Sequence, residues 1–110
     1  MDKSVDMIPP VWADIAYGPH ERNVLDLWLA PDSGPRPLLV CIHGGFQAGD
    51  KCAYAGRPEL IETMLAAGIS VAAINYRLTD GGGCPFPAPM LDGARAVQFL
   101  RHHADTYHLD

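Results

Sequence analysis

The sequence predicts an α/β fold, and three observations predict it. Two uncharged apolar runs, Leu38–Ile42 and residues 69–74, have the composition of strands buried on both faces, which implies helices on both sides of a sheet. Between them, residues 58–67 place Leu60, Ile61, Met64 and Leu65 on one face of a helix. Upstream, residues 23–30 alternate Leu25, Leu27 and Leu29 with Val24, Asp26 and Trp28, the period of a strand.

The remaining elements follow in order. Residues 14–17 form a short strand candidate, and the Gly18-Pro19-His20-Glu21-Arg22 link predicts a hairpin to the next strand, with Trp12 and Trp28 as its packing residues. Residues 31–37 are a surface turn. Pro58 suits the first turn of its helix, Glu59 and Glu62 favour the positive end of the dipole, and Gly68 can cap the other end. The Leu38 strand, this helix and the Ile69 strand make a right-handed βαβ unit. A loop with Gly81, Gly82, Gly83, Pro85, Pro87 and Pro89 leads to a last helix from about Met90 to Ala104, whose spacing predicts burial of Gly93, Val97, Leu100 and Ala104. The expected order is an antiparallel hairpin followed by βαβα, with a mostly parallel sheet.

The chain has 110 residues, 48% hydrophobic and 19% charged, which gives room for one domain or part of one. Acidic residues outnumber basic ones 13 to 8, for a net charge of -5 with no basic cluster, so a nucleic acid is not an expected partner. The N-terminus lacks the basic start and apolar core of a secretory signal, and the longest uncharged apolar stretch, residues 65–75, falls short of the roughly 20 residues of a membrane span. Cys41, Cys52 and Cys84 form neither a CxxC nor an even disulfide set, so the expected setting is the reducing cytoplasm, and none has an evident base beside it. His102, His103 and His108 read as a solvated helix end, because adjacent histidines face different sides of a helix, and no metal is expected. No phosphate-cradling pattern follows the glycine triplet, so no cofactor is expected either.

The chemistry is expected in His43-Gly44-Gly45-Phe46, directly after the Leu38 strand. Open α/β sheets place their sites at the carboxyl ends of parallel strands. Paired glycines let the backbone turn sharply and expose N–H groups that can face the oxyanion of an acyl transfer. Further along, Ala48-Gly49-Asp50-Lys51, then Asn75-Tyr76-Arg77-Leu78, then Phe86-Pro87-Ala88-Pro89 with Asp92, complete a set of blocks. In that order and spacing they resemble the esterase/lipase branch of the α/β-hydrolase family, related to hormone-sensitive lipase and the small carboxylesterases. The resemblance covers roughly residues 14–110.

The resemblance implies the N-terminal part of an α/β-hydrolase fold, with the backbone N–H groups of Gly45 and Phe46 as oxyanion donors, Gly44 supplying the turn, and His43 organising the loop. In this chain Phe46 follows Gly45 directly, where the family usually carries one more residue. Arg77 and Asp92 read as a structural pair tying the end of the Ile69 strand to the last helix. The family's Gly-x-Ser-x-Gly elbow, its acid and its catalytic His come later along the pattern. The serines here are Ser4, Ser33 and Ser70, none flanked by glycines, so the catalytic triad is expected beyond residue 110 and the 110-residue chain alone is expected to be inactive. A truncation, split gene or incomplete gene model is the expected reason for the ending. The expected function is therefore the oxyanion half of a carboxylic-ester hydrolase acting on a small-molecule ester. The alternative is a non-catalytic interaction module or pseudoenzyme that self-associates through the apolar edge Leu38–Ile42.

Overall fold

The computed structural model describes residues 9–31, 34–43, 50–51, 57–79 and 87–109. Strands β1 (Trp12–Ala16), β2 (Val24–Trp28), β3 (Leu38–Ile42) and β4 (Ser70–Ile74) form one sheet in the order β1-β2-β4-β3. Helix α1 (Pro58–Ala66) connects β3 to β4, and helices α2 (Ala88–His102) and α3 (Ala104–Tyr107) follow β4.

The hairpin sets the pairing. β1 runs antiparallel to β2, and β2 runs antiparallel to β4 with Leu25 opposite Ile74 and Trp28 opposite Val71. Only β3 and β4 are parallel, in register from Leu38 opposite Ser70 to Ile42 opposite Ile74. The expectation of a mostly parallel sheet is therefore corrected: two of the three pairings are antiparallel, because β2 inserts beside β4 and a single helical crossover is present among the described residues.

Alternation along the strands divides the core between the two faces of the sheet. On one face Leu25, Leu27, Ala72, Ile74 and Tyr76 pack with Ala96 and Leu100 of α2, and with Leu109. On the other, Trp28, Cys41, Val71 and Ala73 pack with Ile61, Met64 and Leu65 of α1. Helices thus lie on both sides. Every residue of β4 is buried, as its apolar run predicts, but in β3 only Cys41 is, because among the described residues β3 has a single neighbour and stands at the sheet edge. The expectation that both runs are buried on both faces holds for β4 and fails for β3.

Local signals explain the helix ends. Gly68 sits at φ +82°, in the left-handed region where a side chain would be strained. From there its N–H donates to the Leu65 carbonyl and that of Ile69 to the Met64 carbonyl, the paired bonds that close a helix C-terminus. Helix α2 begins earlier than expected and buries Ala88, Pro89, Asp92, Ala96 and Leu100, so that of the predicted stripe Leu100 alone is buried. Gly93, Val97 and Ala104 are only partly covered. The face is rotated because Asp92 is drawn inward by Arg77, which satisfies a carboxylate that periodicity alone assigns to solvent. Val97 and Ala104 instead line an open groove of about 500 Å³ beside Leu38 and Val40 of the edge strand.

Candidate functional site

The site lies at the carboxyl end of β3, where His43 leaves the sheet, and it is built from the stretch that follows β4. Gly44, Gly45 and Phe46 lie outside the described residues, as do Cys52, Cys84 and the glycine triplet. What is described is both flanks of that segment and the residues that hold them.

On the near flank, Tyr76 grips His43 in two ways. Its hydroxyl donates to the His43 carbonyl at 2.6 Å, and its ring stacks on the imidazole with centroids 4.3 Å apart and planes 19° from parallel. The same hydroxyl lies 3.1 Å from His43 Nδ1. Since its one proton goes to the carbonyl, we assign the Nδ1 proton to the imidazole, donating to the phenol oxygen. His43 is only 6% exposed.

On the far flank, Asn75 holds Asp50 and Lys51. Its side-chain oxygen accepts the Lys51 N–H at 2.8 Å, and its amide donates to Asp50 Oδ2 at 3.2 Å. Lys51 is buried, with its ammonium 2.8 Å from Asp14 Oδ1 and 3.0 Å from Asp26 Oδ1. Burial works against the charged amine, but these two carboxylates outweigh it and hold the Lys51 pKa above its usual value.

Behind both flanks runs a buried hydrogen-bond network. Arg77 meets Asp92 through Nε and a terminal nitrogen at 2.9–3.1 Å, and its backbone N–H adds a bond of 2.8 Å. Asn23 donates to Asp92 at 3.0 Å. Tyr17 donates from its hydroxyl to the Asn75 carbonyl at 2.5 Å, and Asn23 approaches that hydroxyl at 3.4 Å. Burial, with the nearby Asp92 charge, pushes the Tyr17 phenol up to about 12. For Asp92, burial raises the pKa, but the Arg77 and Asn23 bonds more than offset it and hold the carboxyl below its ordinary value. Gly18 is required where the hairpin passes this network, because a Cβ there would fall 2.6 Å from Asn23 Oδ1. Arg22 closes the shell, donating to the Tyr76 carbonyl at 2.9 Å and lying 3.6 Å from Asp50.

The structure brings Arg77 and Asp92 together and sets His43 against Tyr76. It gives roles to residues that sequence reasoning passed over: Tyr17, Asn23, Tyr76, Asn75, and the Lys51, Asp14, Asp26 triangle. Asn75, Tyr76 and Lys51 lie inside the sequence blocks that carry the family resemblance, which is the one signal that could have singled them out. Asn23, Asp14 and Asp26 carry no such mark. Cys41 lies in the apolar layer under α1, where burial pushes its thiol up and out of the reactive range. Among the described residues no group of three His, Cys, Asp or Glu could hold a metal ion, and no helix is long and apolar enough to cross a membrane.

Solved structures share this sheet and its flanking helices. The fold is similar to a bifunctional GH43-CE protein of Bacteroides eggerthii, with a TM-score of 0.77 and 29% identity over 90% of this chain and 14% of that one. It is also similar to a truncated carbohydrate esterase from gut microbiota (TM-score 0.74, 23% identity, 90% of this chain and 35% of that one). Esterase B of Lactobacillus rhamnosis shares the fold at a TM-score of 0.74 and 19% identity, over 98% of this chain and 36% of that one. Residues 25–110 match the BD-FAE family, and the chain belongs to this family of α/β-hydrolase esterases. No curated protein matches it. The chain spans 14% to 36% of the length of these three structures.

Proposed function

We propose that these residues form the oxyanion side of a carboxylic-ester hydrolase whose serine nucleophile, His base and acid lie outside them. One observation carries the reading: His43 and the Asp50–Lys51 pair, which flank residues 44–49, are held by consecutive side chains, Tyr76 and Asn75, at the carboxyl end of a parallel strand. Fixed donors stabilise a developing charge without reorganising when it forms. In this reading the serine oxygen adds to the ester carbonyl, the carbonyl oxygen takes up the negative charge, and the backbone N–H groups of Gly45 and Phe46 receive it. Gly44 supplies the turn. His43 organises the loop and is not the base, since its ring is stacked on Tyr76 and buried. Small esters are the substrate class, aryl or short-chain acyl esters or acetyl groups on sugars, in keeping with the carbohydrate esterase and the esterase B whose fold it shares.

The 110-residue chain by itself is expected to show no turnover of a chromogenic acetate ester. Ser70 is buried in β4 and its hydroxyl accepts the Ala30 N–H at 2.9 Å, so it cannot serve as a nucleophile. Joined in register to the remainder of the truncated carbohydrate esterase, the chain should yield an active enzyme. In that chimera Gly45→Pro, which deletes one donor N–H, should lower kcat by about 10²–10³. A folded chimera in which Gly45→Pro leaves kcat unchanged would refute the assignment.

A second reading has its own observation. Among the described residues β3 is a sheet edge, with Leu39 37% and Ile42 46% exposed, and it carries neither charge nor proline to deter pairing. As a non-catalytic module the chain would self-associate there. Sedimentation of the wild-type chain should then show a dimer that Leu39→Lys converts to monomer; a monomer at all concentrations removes this reading.

A further inference from the structure

We propose that Lys51 is a positioning residue for the oxyanion segment, acting through Asp14 and Asp26 of the β1–β2 hairpin. The inference rests on the hydrolase reading and deepens it, by naming the contact that sets the far end of the segment.

The side chain of Lys51 is 10% exposed and that of Asp26 8%. A buried ammonium is costly unless paired, and a lysine placed only to solubilise a loop would keep its head in water. Here the hairpin is shaped to receive it. The β1–β2 register shifts between Trp12 and Ile15, and within that bulge Asp14 takes φ 55°, a left-handed conformation that Asp tolerates better than most residues. The same Asp26 oxygen that receives the ammonium also accepts the Asp14 N–H at 2.9 Å, so one carboxylate holds both the bulge and the lysine. The Lys51 backbone is held independently by Asn75 at 2.8 Å. Residue 51 is thus pinned through its main chain to the end of β4 and through its side chain to the hairpin. Only six residues separate Lys51's neighbour Asp50 from His43. The proposed donors follow His43 by two and three positions within that link, so on this proposal the place of residue 51 bears on theirs.

The test is the amide NMR spectrum of the 110-residue chain, which reads position and not turnover. An inactive chimera would therefore sink the hydrolase reading while leaving this measurement to decide the positioning role separately. Lys51→Met should move the Gly44, Gly45 and Phe46 amide signals more than those of residues 70–74, and Lys51→Arg should return them toward wild type. Asp14→Asn should move the same signals in the same direction, since Asn also accommodates the left-handed backbone while losing the charge. If Lys51→Met fails to fold, Asp14→Asn decides alone, because the Asp14 side chain is 69% exposed and its loss leaves the core intact. The proposal is overturned if the signals of residues 44–46 stay in place while those of residues 14, 26 and 50 shift, or if the arginine variant behaves like the methionine one.

Discussion

Asp92→Ala is expected to lower the unfolding free energy of the chain by about 3 kcal/mol, the low end of what removing one partner of a buried ion pair costs. Asp92 is 3% exposed, and its carboxylate accepts the Arg77 N–H, the Arg77 guanidinium and the Asn23 amide. Removing it leaves those donors facing a cavity. The low end applies because the Arg77 side chain is 32% exposed and recovers part of its hydration. Against the roughly 5–15 kcal/mol of a typical domain, in a chain small enough to bury only about two thirds of its surface, this is a large share. The urea midpoint should fall accordingly. The pH dependence has a definite sign: a carboxyl held below its unfolded value contributes stability above that value and loses it as pH falls toward the folded one. The wild-type chain should therefore weaken below about pH 4, the ordinary Asp range, while Asp92→Asn shows a flatter acid limb. Equal midpoints and equal acid limbs would show that the pair is idle.

Trp28→Ala should cost about 3–5 kcal/mol, the range for deleting a large buried aromatic. Trp28 is 1% exposed and packs among Cys41, Ile61, Val71 and Ala73, so it joins β2 to both the edge strand and α1. Trp12 makes the contrast. It is 47% exposed and meets Tyr107 edge-on at 5.8 Å, so Trp12→Ala should cost no more than about 1 kcal/mol. Denaturation of the two variants side by side checks both values. Similar midpoints would contradict the placement of Trp28 in the core.

These two residues also show how far the sequence could be read. Alternation marks Leu25 and Leu27 for one face of β2, and continuity marks β4 for full burial, because side-chain period and strand burial are local properties. Pairing is not local. Nothing in residues 23–30 says that β2 inserts beside β4, which makes the sheet mostly antiparallel and gives Trp28 a different environment from Trp12. The rotated face of α2 has the same origin: Asp92 is polar, so periodicity assigns it outward, and its distant partners Arg77 and Asn23 make it an inward residue. At the site, His43 and the glycines after it carry a recognisable pattern. Asn23, Asp14 and Asp26 carry none, since a buried polar side chain is identified only by the partner that satisfies it.

The most direct test of the oxyanion assignment is a crystal structure of the chimera after reaction with a phosphonate ester, the class of inhibitor bound to esterase B of Lactobacillus rhamnosis. The phosphoryl oxygen that stands for the oxyanion should lie about 2.7–3.1 Å from the backbone nitrogens of Gly45 and Phe46, the range expected of such donors. An adduct whose oxygen is held by other donors, with both nitrogens out of reach, would contradict it.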